Sequence, residues 1–173
     1  MAQQPKPSPL RGAAALHLNQ QLCFPLYAAS NLMTRLYRPL LQQLGLTYPQ
    51  YLVMLVLWES APSSVSELGE RLMLDSGTLT PLLKRLEAAG LVQRSRDTAD
   101  ERRVRVSLTP AGLTLRGPAS EVPSALACRV LGDTSADPQD LAELRTRLQT
   151  LVHTLSQALD TPTPDASGTF PQP

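Results

Sequence analysis

Apolar positions in this chain recur at helical spacing over most of its length and at strand spacing in one short segment. From about Leu22 to Leu44 the residues Leu26, Ala29, Met33, Leu36, Leu40 and Leu44 form a stripe at three- and four-residue steps, which predicts a helix. Pro25 falls in its first turn, where a missing amide costs nothing, and this puts Cys23 at the helix N-terminus. Pro39 lies deep in the stripe and predicts a bend or break near Arg38. Thr47-Tyr-Pro-Gln50 then carries the marks of a helix start: a cap, a first-turn proline and a reciprocal Gln. The run from Tyr51 to Trp58 fits a strand or a helix by periodicity, and the capping signature selects a buried helix. Ala61 to Ser64 reads as a loop.

The stretch from Ser64 to Thr109 organises the rest. Ser64 and Glu67 form a capping box, in which hydroxyl and carboxylate each satisfy an orphan amide. Asp75 caps a second helix, and Gly90 stands where a left-handed residue would end it. At about 100° per residue, Leu79, Leu82, Leu83 and Leu86 share one side of that helix. Gly77, Thr80, Pro81, Lys84 and Ala88 share the other, with Arg85 at its edge. Pro81 should cost helix stability and is read as a tolerated kink or an early-turn position. After Gly90 the period drops to two: Val104, Val106 and Leu108 alternate with Arg103, Arg105 and Ser107, the pattern of a half-buried strand. A polar tip, Asp97 to Arg102, joins it to the strand beginning near Leu91. Helix, turn, helix and arginine-rich hairpin follow in the order of a winged helix-turn-helix.

Thr109-Pro110 is another cap with a first-turn proline. The helix it starts is interrupted by Gly117-Pro118 and Pro123, so a kinked or segmented helix to about Val130 is predicted. Gly132 to Ala136 reads as a loop, and Asp137-Pro-Gln-Asp opens a last helix. There Leu141, Leu148 and Leu155 alternate with Leu144, Leu151 and Ala158 in a heptad pattern too short for a free coiled coil, which predicts a shared dimer core. Residues 1–16 form a Pro- and Gln-rich arm and residues 161–173 a Pro- and Thr-rich tail, both expected to be disordered. The intended organisation is residues 17–46 as an N-terminal dimerisation helix, 47–109 as a DNA-binding domain and 110–160 as C-terminal dimerisation helices. The fold class is mainly α with a small β-hairpin wing.

Charge narrows the function. The 173 residues carry a net charge of only +1, yet from Lys84 to Arg105 there are seven Lys or Arg against four Asp or Glu. Positive charge is thus placed on the reading helix and hairpin, as a phosphate-tracking surface needs. Small residues, a hydroxyl and cations on the outer side of the second helix suit close approach to base edges in duplex DNA. Ser76, Thr78, Thr80, Pro81, Lys84 and Arg85 are the candidates for the groove, Arg102 and Arg103 for the wing. The apolar runs are too short to span a bilayer and the N-terminus lacks an apolar signal core, so a cytoplasmic protein with no membrane partner is expected. There a pair of cysteines is not a structural staple. His17 and His153 stand alone, and neither metal nor cofactor is implied.

Three segments carry a family resemblance: Leu22-Cys-Phe-Pro-Leu-Tyr, Leu46-Thr-Tyr-Pro-Gln-Tyr with the apolar run after it, and Val65 to Glu87. With the wing segment Asp100-Glu-Arg-Arg-Val-Arg-Val-Ser-Leu-Thr, the sequence from about His17 to Asp160 resembles the MarR family of winged helix-turn-helix regulators. Within it the chain is most similar to the organic hydroperoxide resistance repressors with two cysteines. The resemblance implies that Cys23 is a peroxidatic cysteine, that Tyr37 and Tyr48 hydrogen-bond it from the other subunit, and that Cys128 is its resolving partner. It also implies that Asp100 braces the wing arginine Arg102. Pro25 departs from the family pattern, which tends to carry alanine there.

Peroxide reduction needs a thiolate. A helix N-terminus or hydrogen bonds lower a cysteine pKa from ~8.5 to roughly 3.5–7.5. No Lys or Arg lies near Cys23 in sequence, while Leu22, Phe24, Leu26 and Tyr27 surround it with apolar groups suited to an organic or lipid hydroperoxide. The implied function is a homodimeric repressor that holds double-stranded operator DNA when reduced, lets go when Cys23 is oxidised and is reset by a thiol reductant. Two other readings stand beside it: a MarR-type repressor released by a small aromatic ligand, and a two-cysteine thiol peroxidase. The second would need a peroxide-activating arginine that the sequence does not place, so a non-enzyme is expected.

Overall fold

The computed structural model describes residues 16–97, 100, 102–131 and 138–160. The chain divides into two compact units, residues 1–130 and 131–173.

In the first unit a short 3-10 turn at Leu18–Gln20 precedes α1 (Cys23–Gln42). Pro25 sits in the first turn of α1 as predicted, and the helix runs on through Pro39 without a break. Gly45, with φ of +67°, turns the chain into α2 (Tyr48–Ser60). There the Gln50 side-chain oxygen accepts from both the amide (2.8 Å) and the hydroxyl (2.9 Å) of Thr47. The apolar run is helical and buried: Tyr51, Val53, Met54 and Leu57 are all but inaccessible to solvent.

Ser63–Ser64, expected to be loop, form a short strand β1. Its register, Ser63 opposite Val106 and Ser64 opposite Arg105, adds it to the hairpin of β2 (Val92–Arg96) and β3 (Val104–Leu108). The antiparallel sheet therefore has the order β1-β3-β2. Two residues carry no periodicity, and their strand character comes from a partner some forty positions on. Ser64 then caps α3 (Val65–Leu72): Glu67 N–H donates to its hydroxyl at 3.2 Å, and its own amide donates to the Glu67 carboxylate at 2.6 Å. Met73, at φ of +53°, ends α3 in the left-handed region. Asp75 caps α4 (Ser76–Ala88) by accepting the Thr78 amide at 2.8 Å. Gly90, at φ of +71°, follows α4 as predicted.

Pro81 is the sixth residue of α4, so it is an interior proline and not an early-turn one. It cannot donate to the Gly77 carbonyl, and the helix continues across the gap on the packing of its leucine side. Leu79, Leu82, Leu83 and Leu86 are all buried, as the periodicity requires. They join Leu41, Tyr51, Met54, Leu57, Leu68, Val92 and Val106 in the core. The alternation along β3 holds at Val106, which is fully buried, but Val104 is 36% exposed. Val104 pairs with Arg96 at the outer end of the hairpin, away from the helices that cover Val106.

The interrupted helix is segmented as predicted, into α5 (Pro110–Thr114), α6 (Arg116–Ala119) and α7 (Val122–Leu131). Thr109 caps α5 by accepting the Gly112 amide at 3.1 Å. The Gly112 carbonyl accepts the Trp58 indole N–H at 2.8 Å, which ties α5 to α2.

α1 is poorly covered. Leu41 is its one buried residue, while Leu22, Tyr27 and Leu32 are more than half exposed. Only the C-terminal part of its apolar stripe meets the core of its own chain. The second unit contributes α8 (Pro138–Asp160), where Leu141, Leu144, Leu148 and Leu155 of the heptad stripe are exposed. The predicted loop at 132–136, the Asp137 cap, the arm over 1–15 and the tail at 161–173 lie outside the described residues.

Among the described glycines Gly112 leaves the least room for a side chain. A Cβ there would lie 2.0 Å from the Leu91 carbonyl oxygen and 3.1 Å from its carbon, both backbone atoms with no room to yield. Gly112→Ala should therefore lower unfolding stability by on the order of 3 kcal/mol, read as a reduced urea midpoint at unchanged slope.

Candidate DNA-reading face and thiol sites

α4 owes its orientation to its two sides. The leucine side is sealed in the core, so Ser76, Gly77, Thr78, Pro81, Lys84 and Arg85 face solvent, with Thr80 half-buried. The Thr78 hydroxyl donates to the Asp75 carboxylate at 2.8 Å and the Thr80 hydroxyl to the Ser76 carbonyl at 2.7 Å. Both hydroxyls thus have their protons engaged and offer acceptor lone pairs outward. Thr80 also lines a cleft of about 340 Å³ with Ser64, Ser66, Arg94, Arg102 and Arg103. Reading helix and wing therefore border one concave surface.

The wing root is held by charge-assisted hydrogen bonds. Glu87, near the end of α4, accepts the Arg94 amide at 3.1 Å and its guanidinium Nε at 2.8 Å, and a second guanidinium nitrogen closes the fork. The paired Arg94 guanidinium, and then its amide, hold the Glu87 carboxyl below the usual carboxylate range. Arg105 pairs with Asp97 at 3.2 Å and reaches the Pro62 carbonyl at 3.3 Å, tying the hairpin to the turn before β1. At the tip the Asp100 carboxylate accepts the Arg102 amide at 3.1 Å and pairs with the Arg103 guanidinium at 3.7 Å. Its brace acts on the backbone at Arg102 and on the side chain of Arg103. Thr98, Ala99 and Glu101 of the tip lie outside the described residues.

These pairs revise the charge count. Of the seven cations between Lys84 and Arg105, Arg94, Arg103 and Arg105 are matched on the spot. Among the described residues Lys84, Arg85, Arg96 and Arg102 are in no ion pair. Arg96 is exposed at the end of β2 and was not singled out by the pattern; only its place in the basic count pointed to it.

Both cysteines are free and exposed. Cys23 is the first residue of α1, beside exposed Leu22 and Tyr27. Cys128 lies on α7. Tyr37 and Tyr48 come together, with ring centroids 4.6 Å apart, and Tyr51 continues the stack 5.8 Å from Tyr37. Burial, and then the neighbouring phenols Tyr48 and Tyr51, push the Tyr37 hydroxyl above its ordinary value. Burial does the same at Tyr48. Both hydroxyls stay protonated at neutral pH and are donors. They are not beside Cys23 of their own chain: Tyr37 lies fourteen residues along an unbroken helix, about 21 Å at ~1.5 Å per residue. Among the described residues no group of three or more His, Cys, Asp or Glu is placed to hold a metal ion. No described helix is long and apolar enough to cross a membrane.

A capped two-helix unit, a core-sealed reading helix and a basic three-stranded wing define a winged helix-turn-helix DNA-binding regulator. Comparison with known proteins agrees. Residues 35–115 match the family model described as transcriptional regulator SarA/Rot. The chain is 48% identical over 142 residues to the organic hydroperoxide resistance transcriptional regulator of Bacillus subtilis (strain 168), covering 82% of this chain and 94% of that protein. It is similar to reduced AbfR bound to DNA, the AbfR of Staphylococcus epidermidis, at 36% identity with a TM-score of 0.68, covering 83% and 96% of the two chains. The disulfide form of AbfR matches less closely, at 40% identity and a TM-score of 0.55, covering 78% and 92%. The chain belongs to the MarR family of winged helix-turn-helix transcription regulators, with the organic hydroperoxide resistance regulators.

Two outcomes follow from the charge placement. Lys84→Ala and Arg102→Ala should each weaken duplex binding and reduce the slope of log affinity against log salt by about 0.9, the value for one released counterion per phosphate contact. Fluorescence anisotropy across a salt series reads this. Arg94→Ala frees Glu87 and should loosen the wing root instead. The Glu87 carboxyl is depressed when folded, so its contribution is present above its ordinary value of 4.5 and is lost as pH falls through the folded value. Glu87→Gln should flatten the fall in melting temperature in that acid window and leave the curve above pH 6 parallel to wild type.

Proposed function

We propose that this chain is a homodimeric, redox-sensing repressor that binds operator DNA when reduced and releases it when an organic hydroperoxide oxidises Cys23. The carrying observation is the distance along α1. Tyr37 and Tyr48 form a tight pair of phenol donors, and the same chain's Cys23 is about four turns of α1 away from Tyr37, at ~5.4 Å per turn. A second chain laid antiparallel along the uncovered stripe of α1 brings its own cysteine to that pair. The names of the relatives support the same reading: one is a hydroperoxide resistance regulator, another is known reduced on DNA and in a disulfide form.

The chemistry balances as follows. The Cys23 thiolate, held by the two phenol donors and the first turn of α1, attacks the terminal oxygen of the hydroperoxide. A sulfur–oxygen bond forms, the oxygen–oxygen bond breaks, and the alkoxide takes a proton and leaves as the alcohol. Cysteine is oxidised to a sulfenic acid. Cys128 of the partner subunit then attacks that sulfur as a thiolate, and the hydroxyl leaves as water. The resulting disulfide requires Cα atoms within about 7 Å, so where the reduced cysteines stand farther apart in the dimer, closing it moves the helices that carry the two sulfurs. α1 and α7 thereby change the separation of two reading helices that must match half-sites roughly 34–36 Å apart. An external thiol reductant supplies the two electrons that restore both thiols. Consumption of hydroperoxide is stoichiometric, which separates this reading from a thiol peroxidase.

Operator binding by wild type, Cys23→Ser and Cys128→Ser, with and without cumene hydroperoxide, tests the scheme. Wild type should lose at least about tenfold in affinity, a shift of ~1.4 kcal/mol, and regain it with dithiothreitol. Cys23→Ser should stay bound, and release of that variant by the hydroperoxide would sink the proposal. Cys128→Ser should still sense but end as a mixed disulfide or over-oxidised cysteine by mass spectrometry. A normal intersubunit disulfide in that variant excludes the pairing.

A further inference from the structure

Beside the phenol pair lies a cleft of about 650 Å³, between one face of α1 and the turn from α1 to α2. Its α1 side presents Thr34, Arg35, Arg38 and Gln42, which lie on one helix face; Tyr48 and Pro49 are among the residues facing them. We propose that this cleft is a carboxylate site, in which Arg35 and Arg38 hold the headgroup of a fatty acid and the α2 side carries the start of its chain. The inference rests on the sensing function proposed above and names the class of hydroperoxide that reaches Cys23.

Charge is the first support. No Asp or Glu precedes Glu59 in the sequence, so the arginines of α1 have no acidic neighbour on their own helix or on the turn that faces them. Five arginines elsewhere are matched, Arg71 with Glu59, Arg94 with Glu87, Arg103 with Asp100, Arg105 with Asp97 and Arg147 with Glu143, while among the described residues Arg85, Arg96 and Arg102 at the reading face are not. Among the described residues neither Arg35 nor Arg38 is in an ion pair. Two guanidiniums one turn apart, with hydroxyl and carboxamide groups beside them, suit the bidentate geometry of a carboxylate. The cleft is also mixed, apolar as well as polar, and its volume is in the range of sites that enclose a small organic ligand, about 300–1,000 Å³. An inorganic anion would leave the Leu46, Tyr48 and Pro49 side unused.

Position is the second support. Tyr48 both lines this cleft and stacks at 4.6 Å on Tyr37. A carboxylate seated on the arginines therefore starts its acyl chain beside the phenols proposed to hold the thiolate. A fatty acid hydroperoxide would be captured by its head and oxidised along its chain, in the two-electron step already balanced above.

Two measurements test this independently. Decanoate, which cannot oxidise anything, should bind the reduced Cys23→Ser protein by calorimetry, and the Arg35→Gln/Arg38→Gln form of it about tenfold or more weakly, the loss of charge-assisted hydrogen bonds. The Arg35→Lys/Arg38→Lys form should recover part of that affinity, which separates charge from misfolding. With Cys23 present, linoleic acid hydroperoxide should oxidise the protein about tenfold or more faster than its methyl ester, the same loss of charge-assisted hydrogen bonds, and the acid-to-ester ratio should fall to near one in the glutamine double variant. Equal binding of decanoate with and without the arginines, or equal rates for acid and ester in wild type, overturns the site. So does a double variant that keeps decanoate affinity but shows a shallower salt slope on DNA, since the arginines would then serve phosphates. If cumene hydroperoxide leaves Cys23 reduced, the sensing function fails, and the decanoate result still decides the carboxylate site.

Discussion

An unbroken α-helix is a rigid spacer, and α1 uses its length to keep Cys23 about 21 Å from Tyr37, at ~1.5 Å per residue. No rotamer change closes that gap within one chain. In the proposed scheme the phenols that stabilise the thiolate therefore belong to a site that one chain cannot complete. The same helix has only Leu41 buried, with Leu22, Tyr27 and Leu32 well exposed. An apolar stripe of that kind is stable when something covers it. In the proposed dimer the covering chain also brings the missing sulfur, so assembly and sensitivity rest on one surface.

The DNA-reading unit is built on a different principle. Its parts are locked to one another by short local bonds: Ser64 with Glu67, Asp75 with Thr78, Glu87 with Arg94, Arg105 with Asp97 and with the Pro62 carbonyl. Four leucines fix the back of α4 in the core. Each exposed bond is worth little singly, yet together they leave the wing no separate orientation relative to the helix. Within the unit no cysteine is present, and behind the unpaired cations of its reading face the caps and ion pairs are already satisfied. Such a unit moves as a body, which is what a switch based on the spacing of two copies requires.

Much of this was legible in the residues, for identifiable reasons. The caps at Thr47, Ser64, Asp75 and Thr109 are local, decided by partners three residues away, and all four appear in the structure with the predicted neighbours. The leucine side of α4 was legible because a single period decides it. β1 was not, because two serines have no period and become a strand only by meeting β3. Nor was the fate of the cations: counting gave a surplus around the hairpin, but which arginines are spent on Glu87, Asp97 and Asp100 depends on strand register. Val104 looked buried because alternation says nothing about where the covering helices stop. For the proposed thiol site, family resemblance pointed to Tyr37 and Tyr48, and the fold supplied their stacking. The cleft beside them had no sequence signal except the absence of acids before Glu59, which counts for nothing until the turn at Gly45 folds back on α1.

The separation of sensor and reader has an energetic consequence. A dimeric reader binds two half-sites, and the second contact is intramolecular, governed by an effective concentration that falls away when the geometry no longer fits. A change in the spacing of the two heads can thus remove avidity of ~10²-fold or more without disturbing a single DNA-contacting side chain. Oxidation at Cys23 need not send a signal through the packed core of each reading unit, and the bonds that lock that unit are an advantage because they make spacing the one coordinate left free. A loosely built wing would absorb the displacement by bending, and much of the affinity would survive. On this view the Glu87–Arg94 clamp matters for release as much as for binding: it converts a movement of α1 and α7 into a misfit at the groove.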